Sequence, residues 1–180
     1  MTVLITGGSG SGKSLLAEQL SFKLKREPFY YLATMQVWDE ECKLRVARHR
    51  KQRAGKGFQT LEAPTGLKEA AADLKPGGTA LLDCIGNLTA NEQFEAKVYD
   101  PAQTVIDGVL AVQERMANLV IVTNEVCSDI LPEDEQTLAY LRYIGAVNCA
   151  LAQAADIVIE ACSGVPIIWK GEKLYYEIFN

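Results

Sequence analysis

The stretch Thr2-Val3-Leu4-Ile5-Thr6-Gly7-Gly8-Ser9-Gly10-Ser11-Gly12-Lys13-Ser14 begins as a β-branched apolar run and continues into a glycine-rich segment. The run Thr2–Thr6 predicts a buried strand, and Leu16, Leu20 and Leu24, four positions apart, predict an amphipathic helix over residues 13–25. Between them, residues 7–14 fit the pattern G-x-x-x-x-G-K-[ST] in the strand-to-helix context that a phosphate-binding loop requires. This stretch therefore predicts an α/β fold with a nucleotide site.

The chemistry of the loop follows from its residue types. Glycines allow successive backbone N–H groups to turn inward around phosphate oxygens, and the start of the following helix adds partial positive charge. In this pattern the Lys13 ammonium reaches the β- and γ-phosphates of ATP or GTP, and the Ser14 hydroxyl binds Mg²⁺. The predicted triphosphate-binding residues are Gly7, Gly8, Ser9, Gly10, Ser11, Gly12, Lys13 and Ser14.

Two acidic residues that follow predicted strands are candidates to hold the water shell of that Mg²⁺. Asp83 closes the buried run Thr79-Ala80-Leu81-Leu82, and Glu125 follows the run 119–123. The alternative for each is a carboxylate that caps a strand end in solvent. No Asn-Lys-x-Asp sequence follows a predicted strand, which disfavours a guanine-reading molecular switch.

Strand and helix patterns alternate over residues 1–160 and predict one α/β domain, 1–180, with a mostly parallel sheet and helices on both faces. Residues 86–100 are predicted to be a long loop. Residues 167–170 and 174–178 are predicted to form a C-terminal antiparallel hairpin around Gly171-Glu172. The other predicted strands are 29–33, 58–62, 79–83, 119–123 and 157–161, and the other predicted helices are 39–53, 67–74, 101–116 and 134–155.

Composition restricts the class of protein further. The chain has 18 basic and 23 acidic residues, a net charge of −5, which argues against broad binding of nucleic acid or anionic membranes. No apolar run approaches the roughly 20 residues of a membrane span. Five cysteines without a C-x-x-C pair and a single histidine disfavour a disulfide scaffold and a zinc site. With no signal peptide evident, these features predict a cytoplasmic protein; Cys84 and Cys149, in apolar stretches, are predicted to be buried.

The only histidine lies in a basic segment, 38–53. On a helix, Arg45, His49 and Arg53 share one face because they are four residues apart. One interpretation is a solvated basic surface with a bystander histidine. The other is that His49 accepts a phosphoryl or nucleotidyl group, while the two arginines lower the pKa of its imidazole and bind the transferred phosphate. The spacing alone does not distinguish between the two.

Taken together, these residues resemble the family of bifunctional adenosylcobinamide kinases / adenosylcobinamide-phosphate guanylyltransferases of cobalamin biosynthesis. The resemblance extends over nearly the whole chain. Its most specific parts are the R-x-x-x-H-x-x-x-R spacing of residues 45–53 and the sequence Thr123-Asn124-Glu125-Val126. Other matching segments are Tyr31-Leu32-Ala33-Thr34, Thr60-Leu61-Glu62-Ala63-Pro64, Leu81-Leu82-Asp83-Cys84 and Gly145-Ala146-Val147-Asn148.

The resemblance implies a P-loop NTPase fold of the RecA-like type, a homotrimer and two reactions. In the first, ATP or GTP phosphorylates the aminopropanol hydroxyl of adenosylcobinamide. In the second, GTP guanylylates His49 with release of pyrophosphate, and adenosylcobinamide phosphate then takes the GMP to give adenosylcobinamide-GDP. The residues that the resemblance adds to the GTP site are Ala33, Thr34, Met35, Arg50, Lys51, Gln52, Arg53, Glu62 and Asp83.

Three alternatives remain open from the sequence. The first is a P-loop small-molecule kinase without nucleotidyl transfer, in which His49 is a spectator. The second is a nucleotide-dependent regulatory or motor subunit, which the small size and acidic charge disfavour. The third is a family member that retains only the transferase half, because both halves share the phosphate loop.

Overall fold

The computed structural model describes residues 1–36, 43, 47, 55–126 and 132–179. The strands of this part are β1 (Thr2–Thr6), β2 (Phe29–Ala33), β3 (Gln59–Glu62), β4 (Thr79–Asp83), β5 (Asn118–Val122), β6 (Ile157–Cys162) and β7 (Val165–Lys170). The helices are α1 (Lys13–Lys23), α2 (Leu67–Ala71), α3 (Ile85–Phe94), α4 (Pro101–Arg115), α5 (Glu135–Ala154) and α6 (Glu172–Phe179). The predicted helix over 39–53 lies outside the described residues, except that Lys43 and Ala47 are helical and exposed.

The strands form one sheet in the order β3-β2-β4-β5-β1-β6-β7. Every neighbouring pair is parallel except β6 and β7, which are antiparallel. Strand β1, which precedes the glycine-rich loop, is the fifth strand in this order, and β5 separates it from β4. Because the other strands run in one direction, the carboxyl ends of β1 to β6 meet at one edge of the sheet.

Alternate residues of the central strands build a core on each face of the sheet, as the period of a strand requires. On one face, β-strand residues such as Leu4 and Leu82 pack against α2, α3, α4 and α5. On the other face, residues such as Ile5 and Leu81 pack against Ala17 and Leu20 of α1 and against α6. The mostly parallel sheet with helices on both faces is thus confirmed.

The acidic residues before the two longest helices act as caps. The Asp100 carboxylate accepts a hydrogen bond from the Gln103 backbone N–H at 3.0 Å, with Pro101 at the first helical position. The Asp134 carboxylate accepts from the Thr137 hydroxyl and backbone N–H, both at 2.7 Å, and these bonds lower the pKa of Asp134. Each cap satisfies a donor that the first helical turn leaves unpaired, which fixes where α4 and α5 begin.

The long loop predicted over residues 86–100 is wrong, because residues 85–94 form α3. Ile85 and Leu88 are fully buried, but Asn91 and Glu92 are also buried, at 6% and 2% exposure. The Asn91 amide donates to two backbone carbonyls, and the Glu92 carboxylate accepts from the Gly66 N–H at 2.7 Å. Burial raises the pKa of Glu92. The inward face of α3 therefore carries polar groups, and the apolar spacing that identifies a helix is missing.

The C-terminal antiparallel hairpin exists, but its strands are β6 and β7 rather than the predicted 167–170 and 174–178. Its turn is Ser163-Gly164, whose φ angles of 50° and 83° suit the two-residue turn of a hairpin. Residues 172–179 form α6, with Tyr175 buried against α1 and the sheet. The apolar residues Leu174, Tyr175, Ile178 and Phe179 recur at helical spacing, which the strand prediction overlooked.

Gly171 separates β7 from α6 and is expected to tolerate no side chain. Its φ is +75°, and a Cβ there would lie 2.3 Å from the Asp156 carbonyl oxygen. We expect Gly171→Ala to lower the free energy of unfolding by about 2–4 kcal/mol, measured by urea denaturation.

A matched glycine gives the opposite expectation. Gly145 lies inside α5, and a Cβ there meets none of the described atoms within 4 Å. Gly145→Ala should raise the free energy of unfolding by about 0.5–1 kcal/mol, because alanine is the better helix former. Equal urea midpoints for the two variants would contradict the assignment of a strained turn at Gly171.

Candidate nucleotide-binding site

The glycine-rich loop between β1 and α1 is held from two sides. The Gly7 carbonyl accepts a hydrogen bond from the Glu125 N–H at 3.1 Å, and the Ser11 carbonyl accepts from the Gly164 N–H at 2.9 Å. At Gly7 a Cβ would lie 2.6 Å from Ser11 Oγ and 2.7 Å from the Ala161 carbonyl oxygen. The loop is therefore packed closely against the ends of β5 and β6 and against the hairpin turn, which the sequence analysis did not anticipate.

Lys13, the first residue of α1, is buried at 9% exposure. Its ammonium donates to the Gly8 carbonyl at 2.9 Å, so the charge is held inside the loop. Burial and the Asp83 charge raise the pKa of the Cys84 thiol, and the Lys13 charge opposes them by a smaller amount. In contrast, Gly8, Ser9 and Gly10 are exposed. A buried ammonium beneath an exposed glycine-rich loop is the arrangement that the sequence predicts for binding the phosphates of a triphosphate.

Strand register places several predicted site residues in one row along the carboxyl edge. Glu62 of β3 pairs with Ala33 of β2, Ala33 with Asp83 of β4, and Asp83 with Val122 of β5, which pairs with Ile5 of β1. Adjacent strands lie about 4.8 Å apart, so the Asp83 backbone is about 10 Å from β1 and about 10 Å from Glu62. The gap between the phosphate loop and Asp83 is therefore one strand wide.

A cavity of about 260 Å³ lies beside two of the three predicted metal-binding residues. Ser14 of α1 and Asp83 of β4 both line it, together with Leu15, Glu18, Tyr31, Lys56, Leu81 and Val122. The described residues contain no group of three or more His, Cys, Asp or Glu that is placed to hold a metal ion. A hydroxyl and one carboxylate beside a phosphate loop suit Mg²⁺, which is usually held by one or two carboxylates plus substrate phosphates and water. The donor set thus fits the predicted metal.

The other acidic candidate, Glu125, is placed differently. It follows β5, next to β1, and its backbone N–H is tied to Gly7. Its side chain is exposed, whereas Asp83 is half-buried. Both carboxylates lie at the same edge as the phosphate loop, and Asp83 is the one that shares a cavity with Ser14.

Two hydrogen bonds join the residues that directly follow β2 and β4. The Thr34 hydroxyl donates to the Cys84 carbonyl at 2.8 Å and accepts from the Cys84 N–H at 2.7 Å. The Asn91 amide donates to the carbonyls of Thr34 and Pro64 at 2.9 and 2.8 Å. The Asp83–Cys84 peptide bond is cis. Sequence reasoning missed Asn91 because it assigned that residue to a loop.

The structure thus brings together part of the predicted site. Near one edge lie the loop 7–14, Ala33, Thr34, Glu62, Asp83 and Glu125, and Met35 follows Thr34 directly. Arg45, His49, Arg50, Lys51, Gln52 and Arg53 lie outside the described residues. Their predicted roles stay predictions.

Burial makes Cys84 chemically inert. Desolvation, followed by the neighbouring Asp83 charge, raises the pKa of its thiol to about 12 from 9.0. The thiolate is the reactive form, and three pH units correspond to about 1000-fold less thiolate at any pH below 9. At pH 8 we expect N-ethylmaleimide to label the exposed Cys149 and Cys162 rapidly and Cys84 only after denaturation, read by peptide mass spectrometry.

The comparison is internal to one sample, so reagent and time are matched. Labelling of Cys84 at the rate of Cys149 would contradict the burial of Cys84.

The prediction that Cys149 is buried is wrong. Cys149 is exposed, because its position on α5 faces away from the sheet.

The fold and the phosphate loop define the class: this is a P-loop nucleotide-binding α/β protein. A solved structure, that of PH0250 from Pyrococcus horikoshii OT3, shares the fold with a TM-score of 0.51 at 14% identity, covering 94% of this chain and 85% of that one. Within this class, the chain belongs to the cobinamide kinase / cobinamide phosphate guanyltransferase (CobU) family, whose model matches residues 3–168. The resemblance drawn from the sequence is confirmed, and the chain is an enzyme of the transferase class.

Two relatives show how far the similarity extends. The bifunctional adenosylcobalamin biosynthesis protein CobU of Salmonella typhimurium is 34% identical, over 93% of this chain and 98% of the relative. The bifunctional adenosylcobalamin biosynthesis protein CobP of Pseudomonas aeruginosa is 31% identical, over 97% of this chain and its whole length. None of the helices in the described part combines the length and apolar character of a membrane span.

Proposed function

We propose that the chain carries out two successive transfers on one corrinoid. It phosphorylates the aminopropanol hydroxyl of adenosylcobinamide with ATP or GTP, and then transfers GMP from GTP to the resulting phosphate. The observation that carries the proposal is the family match over residues 3–168, joined to a complete phosphate loop with a buried Lys13. The products are adenosylcobinamide-GDP and pyrophosphate.

In the first step the substrate hydroxyl attacks the γ-phosphorus of the nucleotide, and the nucleoside diphosphate leaves. Lys13 and the loop N–H groups bind the β- and γ-phosphates and neutralise charge that develops on them. Mg²⁺, when bound, would supply positive charge that stabilises the charge developing on the transferred phosphate. Ser14, Asp83 and Glu125 are the residues that we propose to hold it, with the carboxylates acting through water.

In the second step the His49 imidazole attacks the α-phosphorus of GTP, and the bond to pyrophosphate breaks. A phosphate oxygen of adenosylcobinamide phosphate then attacks the phosphorus of the GMP–histidine, and the imidazole is released unchanged. A covalent intermediate divides one difficult displacement into two easier ones. Arg45 and Arg53 are proposed to bind the transferred and leaving phosphates, since guanidinium groups bind phosphate in a bidentate manner.

The proposed nucleotide contacts fall into three sets. The first is the phosphate loop, Gly7, Gly8, Ser9, Gly10, Ser11, Gly12, Lys13 and Ser14, and the second lies at or after the strand ends of the same edge, Ala33, Thr34, Met35, Glu62 and Asp83. The third, Arg50, Lys51, Gln52 and Arg53, lies outside the described residues and is proposed from the family resemblance alone. The row Glu62, Ala33 and Asp83 supports the second set, because these residues end three adjacent strands at one edge of the sheet, and Asp83 lines the cavity.

Three further properties complete the proposal. We propose a single-domain enzyme that assembles as a homotrimer, as the family resemblance implies, without nucleic acid as a partner. Because its nucleotide substrates are cytoplasmic metabolites, we propose that it works in the cytoplasm. Light scattering of the purified protein tests the trimer, which predicts three times the chain mass of 19.7 kDa.

The experiment that tests the function supplies the corrinoid and varies the nucleotide. Purified enzyme with adenosylcobinamide, Mg²⁺ and ATP should form adenosylcobinamide phosphate, and addition of GTP should convert this to adenosylcobinamide-GDP, both identified by mass spectrometry. Phosphorylation without any guanylylated product would favour the small-molecule kinase. The absence of both products, from protein shown to bind GTP, would overturn the proposal.

A further inference from the structure

Tyr31 reaches the predicted metal-binding carboxylate from the neighbouring strand. Its hydroxyl donates to Asp83 Oδ2 at 2.6 Å, while the residue is buried at 4% exposure. Tyr31 pairs with Leu81, so it lies diagonally one step before Asp83 on the same face of the sheet. Both side chains line the cavity that Ser14 also lines.

The hydroxyl itself is held in place by aromatic packing. The Tyr31 ring meets the Phe58 ring edge-on, with centroids 5.8 Å apart and planes at 78°. Phe58 in turn stacks on Phe29, with centroids 4.1 Å apart. Because a ring so packed cannot swing away, its hydroxyl presents a fixed donor to Asp83.

We propose that Tyr31 is a positioning residue for Mg²⁺: its hydrogen bond fixes one oxygen of Asp83 and leaves the other for the water shell of the metal. Among the described residues no hydrogen bond is donated to Asp83 Oδ1, whereas Oδ2 is committed to Tyr31. A carboxylate that is held by such a partner loses less rotamer freedom when metal binds. The inference rests on the proposed role of Asp83 in metal binding. It does not depend on whether the enzyme phosphorylates or guanylylates a corrinoid.

The test measures metal affinity directly. The protein is saturated with a GTP analogue whose α,β-bridging oxygen is replaced by a methylene group, so that His49 cannot displace the leaving group. Mn²⁺ replaces Mg²⁺, and free Mn²⁺ is followed by electron paramagnetic resonance. We expect Tyr31→Phe to weaken Mn²⁺ binding about 10-fold, as partners of metal ligands typically do. We expect Asp83→Asn to weaken it more, and the Mg²⁺ concentration for half-maximal phosphoryl transfer to rise in parallel.

The neighbouring tyrosine supplies the control. The hydroxyl of Tyr30 accepts from the Lys75 N–H at 3.2 Å and belongs to the opposite core layer. Tyr30→Phe removes the same atom from the same strand, and its Mn²⁺ affinity should stay within about 2-fold of the parent. Unchanged affinity in Tyr31→Phe, an equal loss in Tyr30→Phe, or no effect of Asp83→Asn would each overturn the proposal.

This readout is independent of the proposed two-step function. Neither a corrinoid nor a guanylylated histidine takes part in the Mn²⁺ measurement. Failure to form adenosylcobinamide-GDP would therefore leave the metal result standing, and the loss of the Tyr31 effect would leave the two-step reaction standing.

Discussion

His49→Asn is expected to abolish the covalent attachment of GMP to the protein. With Mg²⁺ and GTP labelled at the α-phosphate, the parent enzyme should retain label after denaturation, in a bond that acid breaks and alkali does not, as expected of a phosphoramidate. The variant lacks the attacking imidazole, so label and formation of adenosylcobinamide-GDP should both fall by about 1000-fold or more. Scintillation counting of the denatured protein and mass spectrometry of the product measure the two losses.

The same variant carries its own control. In the proposed mechanism, phosphorylation of adenosylcobinamide by ATP does not pass through His49, so the variant should keep most of this rate. A retained rate would exclude misfolding as the cause of the loss. If the variant still acquires acid-labile label, His49 is not the acceptor. If the parent acquires none while it binds GTP, the enzyme is a kinase that transfers no nucleotide.

Lys13→Met is expected to impair both reactions. The substitution keeps the length and apolar stem of a buried side chain and removes the ammonium that lies 2.9 Å from the Gly8 carbonyl. In the proposed function both steps use a triphosphate in the same loop, so the rate of ATP-dependent phosphorylation and the yield of labelled protein should each fall by about 1000-fold. Steady-state kinetics and the α-phosphate label measure them separately.

Lys23 provides a matched substitution in the same helix. It ends α1, is exposed, and its ammonium lies 6.0 Å from the centroid of the Phe179 ring, away from the loop. Lys23→Met should change either rate less than 2-fold. A normal rate in Lys13→Met would show that the loop does not bind the reacting phosphates.

The sequence was sufficient to predict the architecture where local patterns and burial agree. The strand-loop-helix of residues 2–23 follows from β-branched residues, glycines and leucine spacing, and the caps Asp100 and Asp134 follow from residue type alone. The prediction failed at α3, because Asn91 and Glu92 are buried by hydrogen bonds that form between distant segments. It also failed at α6, where a glycine and a short apolar segment suit a turn or a helix equally well.

The candidate site was predictable where chemistry is carried by a motif. The phosphate loop and Asp83 were identified as candidates in this way, and the register places Asp83 on β4, with β5 between it and β1. Tyr31 could not be found, because an aromatic residue in a buried strand is typical of a core. Its contact with Asp83 depends on the pairing of β2 with β4, which no local pattern specifies.

The anchoring of the chain on both sides of His49 has a consequence for the rate of the second step. Thr34 is tied to Cys84 by two hydrogen bonds, and Phe58 is stacked on Phe29, so the intervening chain is tethered at each end. His49 is nine residues from Phe58, a contour length of at most about 30 Å. A group confined to that radius has an effective concentration on the order of 10 mM. In a variant that lacks the His49 imidazole, free imidazole would have to reach at least that concentration to take over its role in the second step.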